Sequence, residues 1–319
     1  MNMKNLYPMR LSPLPMERLW GGCKLGKFYN KNCAEGTGET WELSVREKEK
    51  NVVANGIFKG KNLSELIDGN KSWMGTRFAG GEFPLLIKFI DAADDLSVQV
   101  HPDDEYAARV ENDVGKTEMW HIVEAEPGAK LVFGLADGVT PEDFAVAVRA
   151  GKTQSALKQI EVHAGETYFI PAGLVHAIGG GILLAEVQQN CDLTYRVYDF
   201  DRLDKNGKPR ELHTEKAIEC VKCFSNEAID AIRYECGSKD GETLADCRYF
   251  KVKRLEICDE GHVLVTEESF VHLLCISGGG KLICEDKEYE ICRGDSYFLP
   301  AGLGDLLLEG NMTVILSRI

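Results

Sequence analysis

The fold class this sequence predicts is mainly β: two small antiparallel barrels with helical insertions. Three observations carry the prediction. Short apolar, β-branched runs recur along the chain, broken by Gly and Pro. Helical patterns are few and short. A ten-residue unit, Gly165-Glu166-Thr167-Tyr168-Phe169-Ile170-Pro171-Ala172-Gly173-Leu174, returns 129 positions later as Gly294-Asp295-Ser296-Tyr297-Phe298-Leu299-Pro300-Ala301-Gly302-Leu303. Only Glu/Asp, Thr/Ser and Ile/Leu exchanges separate the copies, and such self-similarity marks a duplicated structural unit. With 319 residues, the chain is long enough for two average domains and a substantial core.

The elements follow in order. Met1 to Gly22 holds Pro8, Pro13 and Pro15 and no apolar stretch of the signal-peptide kind. Leu63–Ile67 reads as a short helix. Pro84–Ile90 and Leu96–Val100 read as buried or half-buried strands. Pro102–Asn112 reads as a helix with Tyr106, Ala107 and Val110 on one face. Asp103 and Asp104 lie in its first turn, where acids suit the helix dipole. Met119–Val123 is a strand. Thr140 caps a helix that has Pro141 at its first position and runs through Ala150. Thr167–Ile170 is a strand that leaves through the tight turn Pro171-Ala172-Gly173, and Ile182–Val187 is another. Glu215–Cys223 is a short helix. The polar stretch Ser225–Glu242, with Gly237 and Gly241, holds the boundary between a domain at 1–238 and a second barrel at 239–319. Gly278-Gly279-Gly280 predicts a turn between strands.

Composition excludes several function classes. Apolar residues at 44% and charged residues at 28% are ordinary for a globular chain. The net charge is −14 and there is no basic tract, which argues against nucleic acid and against an anionic membrane surface. No apolar run reaches the length of a transmembrane helix, and the expected location is the cytoplasm. The 11 cysteines sit in apolar contexts and read as free thiols. Cys220 and Cys223 form one CxxC pair without the second pair a cysteine zinc site needs.

Three segments of the first half bring metal-ligand chemistry together. Gln99 and His101 stand at i and i+2 of a strand and face one side. Glu118 enters the strand Met119–Val123, and His176 follows the Pro171-Ala172-Gly173 turn. Two imidazoles, one carboxylate and an amide suit Zn²⁺, and Fe²⁺, Mn²⁺ or Co²⁺ also fit. His121 has the opposite strand parity from Glu118 and should face away. His213 should cap or line a loop before Thr214. In the second copy of the repeat Asp305 stands where His176 stands, so the second barrel reads as structural. Arg196, on an inward strand position, needs either an Asp partner or an anion.

The repeated unit resembles the second motif of the cupins, which are jelly-roll (double-stranded β-helix) barrels. Larger segments resemble type I mannose-6-phosphate isomerase. They are Arg18-Leu19-Trp20-Gly21-Gly22, Gly38 to Ser44, Leu96 to Pro102, Gly115 to Trp120, Pro171 to Ala177 and Gln189 to Arg202. They run in order from about residue 18 to residue 202, and the whole resembles the short bacterial form. The resemblance implies an aldose–ketose isomerase that interconverts mannose 6-phosphate and fructose 6-phosphate with one zinc ion. It implies Gln99, His101, Glu118 and His176 as zinc ligands and Arg196 as the active-site arginine. Lys116 and Lys88 would line the substrate site, and Glu186 would be the acid/base. Isomerisation moves a proton between C2 and C1 through a cis-enediol(ate), which needs an electrophile near O1 and O2 and a base near C2. In a chain of net charge −14, Lys116 and Lys88 are the expected neutralisers of the phosphate. A metal-dependent cupin oxygenase and a non-catalytic sugar-binding cupin are the alternatives. The oligomeric state is open.

Overall fold

A computed structural model describes residues 6–204, 206–224, 228 and 242–319. Strands of the first part are β1 (Met9–Ser12), β2 (Leu14–Gly22), β3 (Thr37–Leu43), β4 (Val52–Val53), β5 (Leu85–Ala92), β6 (Val98–Val100) and β7 (Glu118–Ala125). They continue as β8 (Lys130–Leu135), β9 (Leu157–Glu161), β10 (Thr167–Ile170), β11 (His176–Ile178), β12 (Ile182–Gln189) and β13 (Tyr195–Tyr198). The second part has β14 (Glu242–Asp246), β15 (Lys251–Val265), β16 (Val271–Cys284), β17 (Lys287–Cys292), β18 (Ser296–Leu299) and β19 (Gly304–Arg318). Helices α1 (Lys24–Phe28), α2 (Leu63–Gly69), α3 (Asp104–Val110), α4 (Pro141–Arg149) and α5 (Thr214–Cys220) are inserted between strands. The predicted mainly β chain with helical insertions is what folds.

The first part builds two antiparallel sheets, ordered β10-β7-β12-β5-β2-β3 and β13-β6-β11-β8-β9. Trp120, Tyr168 and Leu184 of one sheet share a buried core with Leu131, Phe133 and Ile178 of the other. The rings of Phe133 and Tyr168 meet edge to face at 5.5 Å, as aromatic pairs prefer. Two sheets packed on a shared apolar core make the jelly-roll barrel. Full burial on both faces explains why Leu85–Ala92 and Ile182–Gln189 are largely apolar without alternation, their few polar residues, such as Lys88 and Glu186, being buried too.

The second part has its own core, including Leu273, Tyr297, Leu299, Leu306 and Val314. Its sheet is completed from the other end of the chain: β1 pairs with β18 through Met9↔Phe298 and Arg10↔Tyr297. A third cluster joins the parts, with Leu85, Ile87 and Phe89 on one side and Phe270, Leu274 and Phe298 on the other.

Three local expectations are revised. The three glycines do not turn the chain; they lie inside β16, where it bends against β19. A Cβ on Gly280 would stand 2.0 Å from the Glu309 carbonyl oxygen, and Gly278 has φ +69°, so both positions need glycine. Asp103 lies just outside α3 and caps it, its carboxylate accepting from the Tyr106 N–H at 2.9 Å. Val110 is exposed, because Tyr106 and Ala107 reach the apolar cluster with Val98, Val100 and Tyr195 and the helix ends at Val110. The Thr140 cap and Pro141 start of α4 are found as expected, with a reciprocal Thr140–Asp143 capping box. The expected boundary at 238/239 lies outside the described residues.

Candidate metal centre and its cavity

The repeated unit delivers His176. After β10, Gly173 takes φ +92° in the Pro171-Ala172-Gly173 turn, and its N–H donates to the His101 carbonyl at 2.9 Å. That bond ties the turn to the end of β6, where Pro102 has no N–H to extend a ladder. His176 pairs with Gln99, and Gln99 also pairs with Arg196, so one sheet carries these residues on three adjacent strands. Glu118 arrives from the facing sheet on β7. The candidate ligand atoms of His101, Glu118 and His176 all lie within 4.8 Å of one another, and all three residues are buried. His101 Nε2 is 3.3 Å from Glu118 Oε1, and His176 Nε2 is 3.8 Å from Glu118 Oε2. Gln99 Nε2 is 3.3 Å from His176 Nε2.

These residues fit a divalent metal. Each imidazole donates Nδ1–H to a carbonyl, His101 to Leu193 at 2.8 Å and His176 to Leu174 at 2.9 Å. A carbonyl can only accept, so the tautomer is fixed and each Nε2 lone pair is left for the centre. Burial pushes His101 down to about 3, and Lys116 pushes the same way. His176 is also lowered, chiefly by burial. Both rings are therefore neutral near pH 7, as metal ligation requires. Burial would raise Glu118, but Lys116 and His101 outweigh it and hold the carboxyl well below its usual range. Both of its oxygens are buried without a hydrogen-bond partner of good geometry, the state of a carboxylate shaped for an ion. Lys116 Nζ stands 2.7 Å from Glu118 Oε1 and 3.3 Å from His101 Nε2, so this ammonium meets the same atoms a metal would use.

A cavity of about 570 Å³ lies beside the centre and is lined by Gln99, Lys116, Lys88, Glu186 and Arg196 among others. Lys88 Nζ lies 3.1 Å from Glu186 Oε2 and over the Trp41 ring at 5.3 Å. Trp120 Nε1–H donates to Glu186 Oε1 at 2.8 Å. Burial, then the nearby Glu118 charge, raises the Glu186 carboxyl, while Lys88 opposes. The centre and the cavity beside it thus hold two carboxyls shifted in opposite directions, Glu118 down and Glu186 up.

Among the described residues Arg196 forms no ion pair with an Asp. Its Nε donates to Ser97 Oγ at 3.2 Å and its Nη1 to the Glu211 carbonyl at 2.9 Å. Asp199 is taken by Arg202 and Arg210 instead, because the chain folds back after Phe200 and Asp201, both at φ near +55°. His213 does not cap α5 with its side chain; its Nδ1 accepts the Arg196 N–H at 3.3 Å and the ring lines the cavity. His121 bonds Thr167 Oγ1 at 2.9 Å and does not line it. Asp305 is exposed and bonds His262 at 2.9 Å, and among the described residues no cluster of metal-ligand side chains forms in the second part.

Sequence reasoning did not single out the charged lining residues Arg18, Glu39, Glu111, Asp192, Arg210 and Lys216, and it gave His213 only a place in a loop. Arg18 and Glu39 lay within segments that carry the resemblance, and Glu39 accepts a two-pronged pair from Arg18 at 3.0 Å. Arg210, His213 and Lys216 sit in a polar stretch that reads as surface, with no spacing signal.

The fold and the centre define a cupin-type barrel with a buried two-histidine, one-carboxylate site beside a cation-lined cavity. Comparison with known proteins agrees. Residues 9–124 match the family model "Phosphomannose isomerase type I, catalytic domain", and residues 240–319 match "Mannose-6-phosphate isomerase, cupin domain". Mannose-6-phosphate isomerase ManA of Bacillus subtilis is 38% identical over 98% of this chain and 99% of its own. Mannose-6-phosphate isomerase of Streptococcus mutans is 33% identical over 98% of both. A crystal structure of the Bacillus subtilis mannose 6-phosphate isomerase superimposes with a TM-score of 0.88, at 36% identity, covering 98% of this chain and 99% of that one. The chain belongs to the type I mannose-6-phosphate isomerase family.

Proposed function

We propose that this chain is a zinc-dependent isomerase of mannose 6-phosphate and fructose 6-phosphate, acting through a cis-enediol(ate). The observation that carries the reading is the buried His101–Glu118–His176 set beside a cavity of ligand size lined by lysine and arginine. One zinc ion per chain would be held by these three residues and Gln99, a nitrogen and oxygen set suited to that metal. When bound, the metal supplies an electrophile that stabilises charge developing on the sugar oxygens. Glu186 is the base that takes the C2 proton and returns it to C1; burial and the nearby Glu118 charge raise its carboxyl, which makes the carboxylate a stronger base. Arg196 places a fixed positive charge in the same wall, where it offsets charge on O1 or O2. Lys88 holds Glu186, and Lys116 holds the Glu118 end and bounds the sugar. In this reading the chemistry belongs to 1–238, and 239–319 is a barrel in which no metal-ligand cluster forms among the described residues. No described helix is long and apolar enough to cross a membrane, and the ten described cysteines are free, which suits a reducing cytoplasm.

The test pairs metal analysis with a coupled assay. Wild-type protein should carry one zinc per chain and convert mannose 6-phosphate to fructose 6-phosphate. His176→Ala should lose both the zinc and the turnover. Full zinc loading without turnover in the wild type would sink the substrate assignment.

A further inference from the structure

We propose that Trp120 is a positioning residue: its indole N–H fixes the Glu186 carboxyl so that Oε2, and not Oε1, exchanges the substrate proton. The proposal rests on the isomerase reading, since it concerns the base of that reaction.

The register of one sheet places the parts. Trp41 pairs with Lys88, Lys88 with Glu186, Glu186 with Trp120, and Trp120 with Tyr168. These residues stand directly opposite one another on β3, β5, β12, β7 and β10, so their side chains share one face of the sheet. On β7, Glu118 and Trp120 are two residues apart and face the same side as well. One strand thus delivers a candidate metal ligand and the neighbour of Glu186.

The two oxygens of Glu186 meet different groups. Oε1 accepts the Trp120 Nε1–H at 2.8 Å, the one hydrogen bond to this carboxyl among the described residues. Oε2 faces the Lys88 ammonium at 3.1 Å but has no hydrogen-bond partner of good geometry. The Trp41 indole, on the other side of Lys88, gives its N–H to Glu39 at 2.7 Å and does not compete. Trp120 is fully buried and does not line the cavity, whereas Lys88 and Glu186 do. Oε1 is therefore turned into the wall, and Oε2 lies toward the cavity residue Lys88.

Tryptophan suits this task. Its ring packs in the core with Phe133, Tyr168 and Leu184 and meets the His176 ring edge to face at 5.2 Å. A buried indole N–H needs an acceptor, and Glu186 is the acceptor it meets. The same ring thus touches a candidate metal ligand and the base, and it sets the spacing between them. Misplacing reacting groups by about 1 Å costs about a hundredfold in rate. In the step, written from the aldose, the C2–H pair becomes the C1–C2 double bond, the carbonyl π pair goes to O1, and the proton goes to Oε2. One proton then joins O1 and one leaves O2, the O2 pair forms the new carbonyl, and the double-bond pair takes the proton from Oε2 at C1.

The experiment uses full-length, zinc-loaded protein. W120F removes the N–H and keeps a large ring; W120H keeps an N–H in a smaller ring. Zinc content, kcat and KM for mannose 6-phosphate would be measured, with hydrogen and with deuterium at C2. W120F should keep its zinc and a KM within about threefold, while kcat falls about 30-fold and the deuterium effect on kcat grows. W120H should exceed W120F in kcat, whereas a packing role predicts the reverse order. On an E186Q background, W120F should cost less than about threefold more, because the two residues act as one unit. A kcat for W120F like that of wild type, loss of zinc from the folded variant, the reverse order of the two variants, or a full further loss on E186Q each overturns the proposal. If W120F fails to fold, the four tryptophans labelled with ¹⁵N give the answer without it. One indole N–H signal should move between wild type and E186Q, and none moving overturns the proposal. Turnover in wild type beside an unaffected W120F overturns this proposal alone; zinc-loaded wild type without turnover overturns the isomerase reading and this proposal with it.

Discussion

Three buried carboxylates in and beside the cavity differ through their neighbours alone. Glu118 faces Lys116 and two imidazoles and is held ionised; Glu186 is raised by burial and then by the Glu118 charge, against Lys88. Glu39 is buried, yet Lys88 and Arg18 hold it down to about 2 from 4.5. A carboxyl lowered on folding adds stability in full above its unfolded value, and that stability is lost as pH falls through the folded value. For Glu39 the window runs from about 4.5 down to about 2, and the contribution is about 3 kcal/mol. Urea unfolding at pH 5 and pH 2.5 should therefore show a steeper acid loss in wild type than in Glu39→Gln; equal losses would contradict this. Sequence reached His101, Glu118 and His176 because each residue type is uncommon in its setting and sits at a strand end or turn with its own signal. It could not reach Glu39 or Arg210, since a carboxylate in a strand and an arginine in a polar loop look the same whether they face solvent or a cavity.

Local chemistry also decides which elements were legible. The α4 start could be read because Thr140, Pro141 and Asp143 act within one turn, and the capping box forms as the spacing predicts. Thr140→Ala should remove that box and lower stability by about 1 kcal/mol, read by urea unfolding; an unchanged midpoint would show that the cap contributes nothing. The triple glycine was misread because a turn and a close strand crossing demand the same residue. Only the position of the Glu309 carbonyl over Gly280 separates them. The pairing of β1 with β18 was not legible, since its two strands lie at opposite ends of the chain and neither carries a mark of its partner.

At the scale of the molecule, the repeat and the two barrels were legible, and the seam between them was not. The repeat places a Pro-Ala-Gly turn in each half, but only the first carries a histidine into the facing sheet's glutamate. The second barrel packs Leu273, Leu306, Leu308 and Val314 into an apolar core. It also joins the first part through Phe270, Leu274 and Phe298 against Leu85, Ile87 and Phe89, which back the two strands that carry Lys88 and Glu186. The central claim is that turnover depends on the metal held by the first barrel. The most direct measurement is the coupled assay of mannose 6-phosphate conversion before chelation, after chelation, and after zinc is added back. The account predicts activity that disappears with the chelator and returns with zinc. Unchanged turnover in protein shown to be metal-free would contradict it.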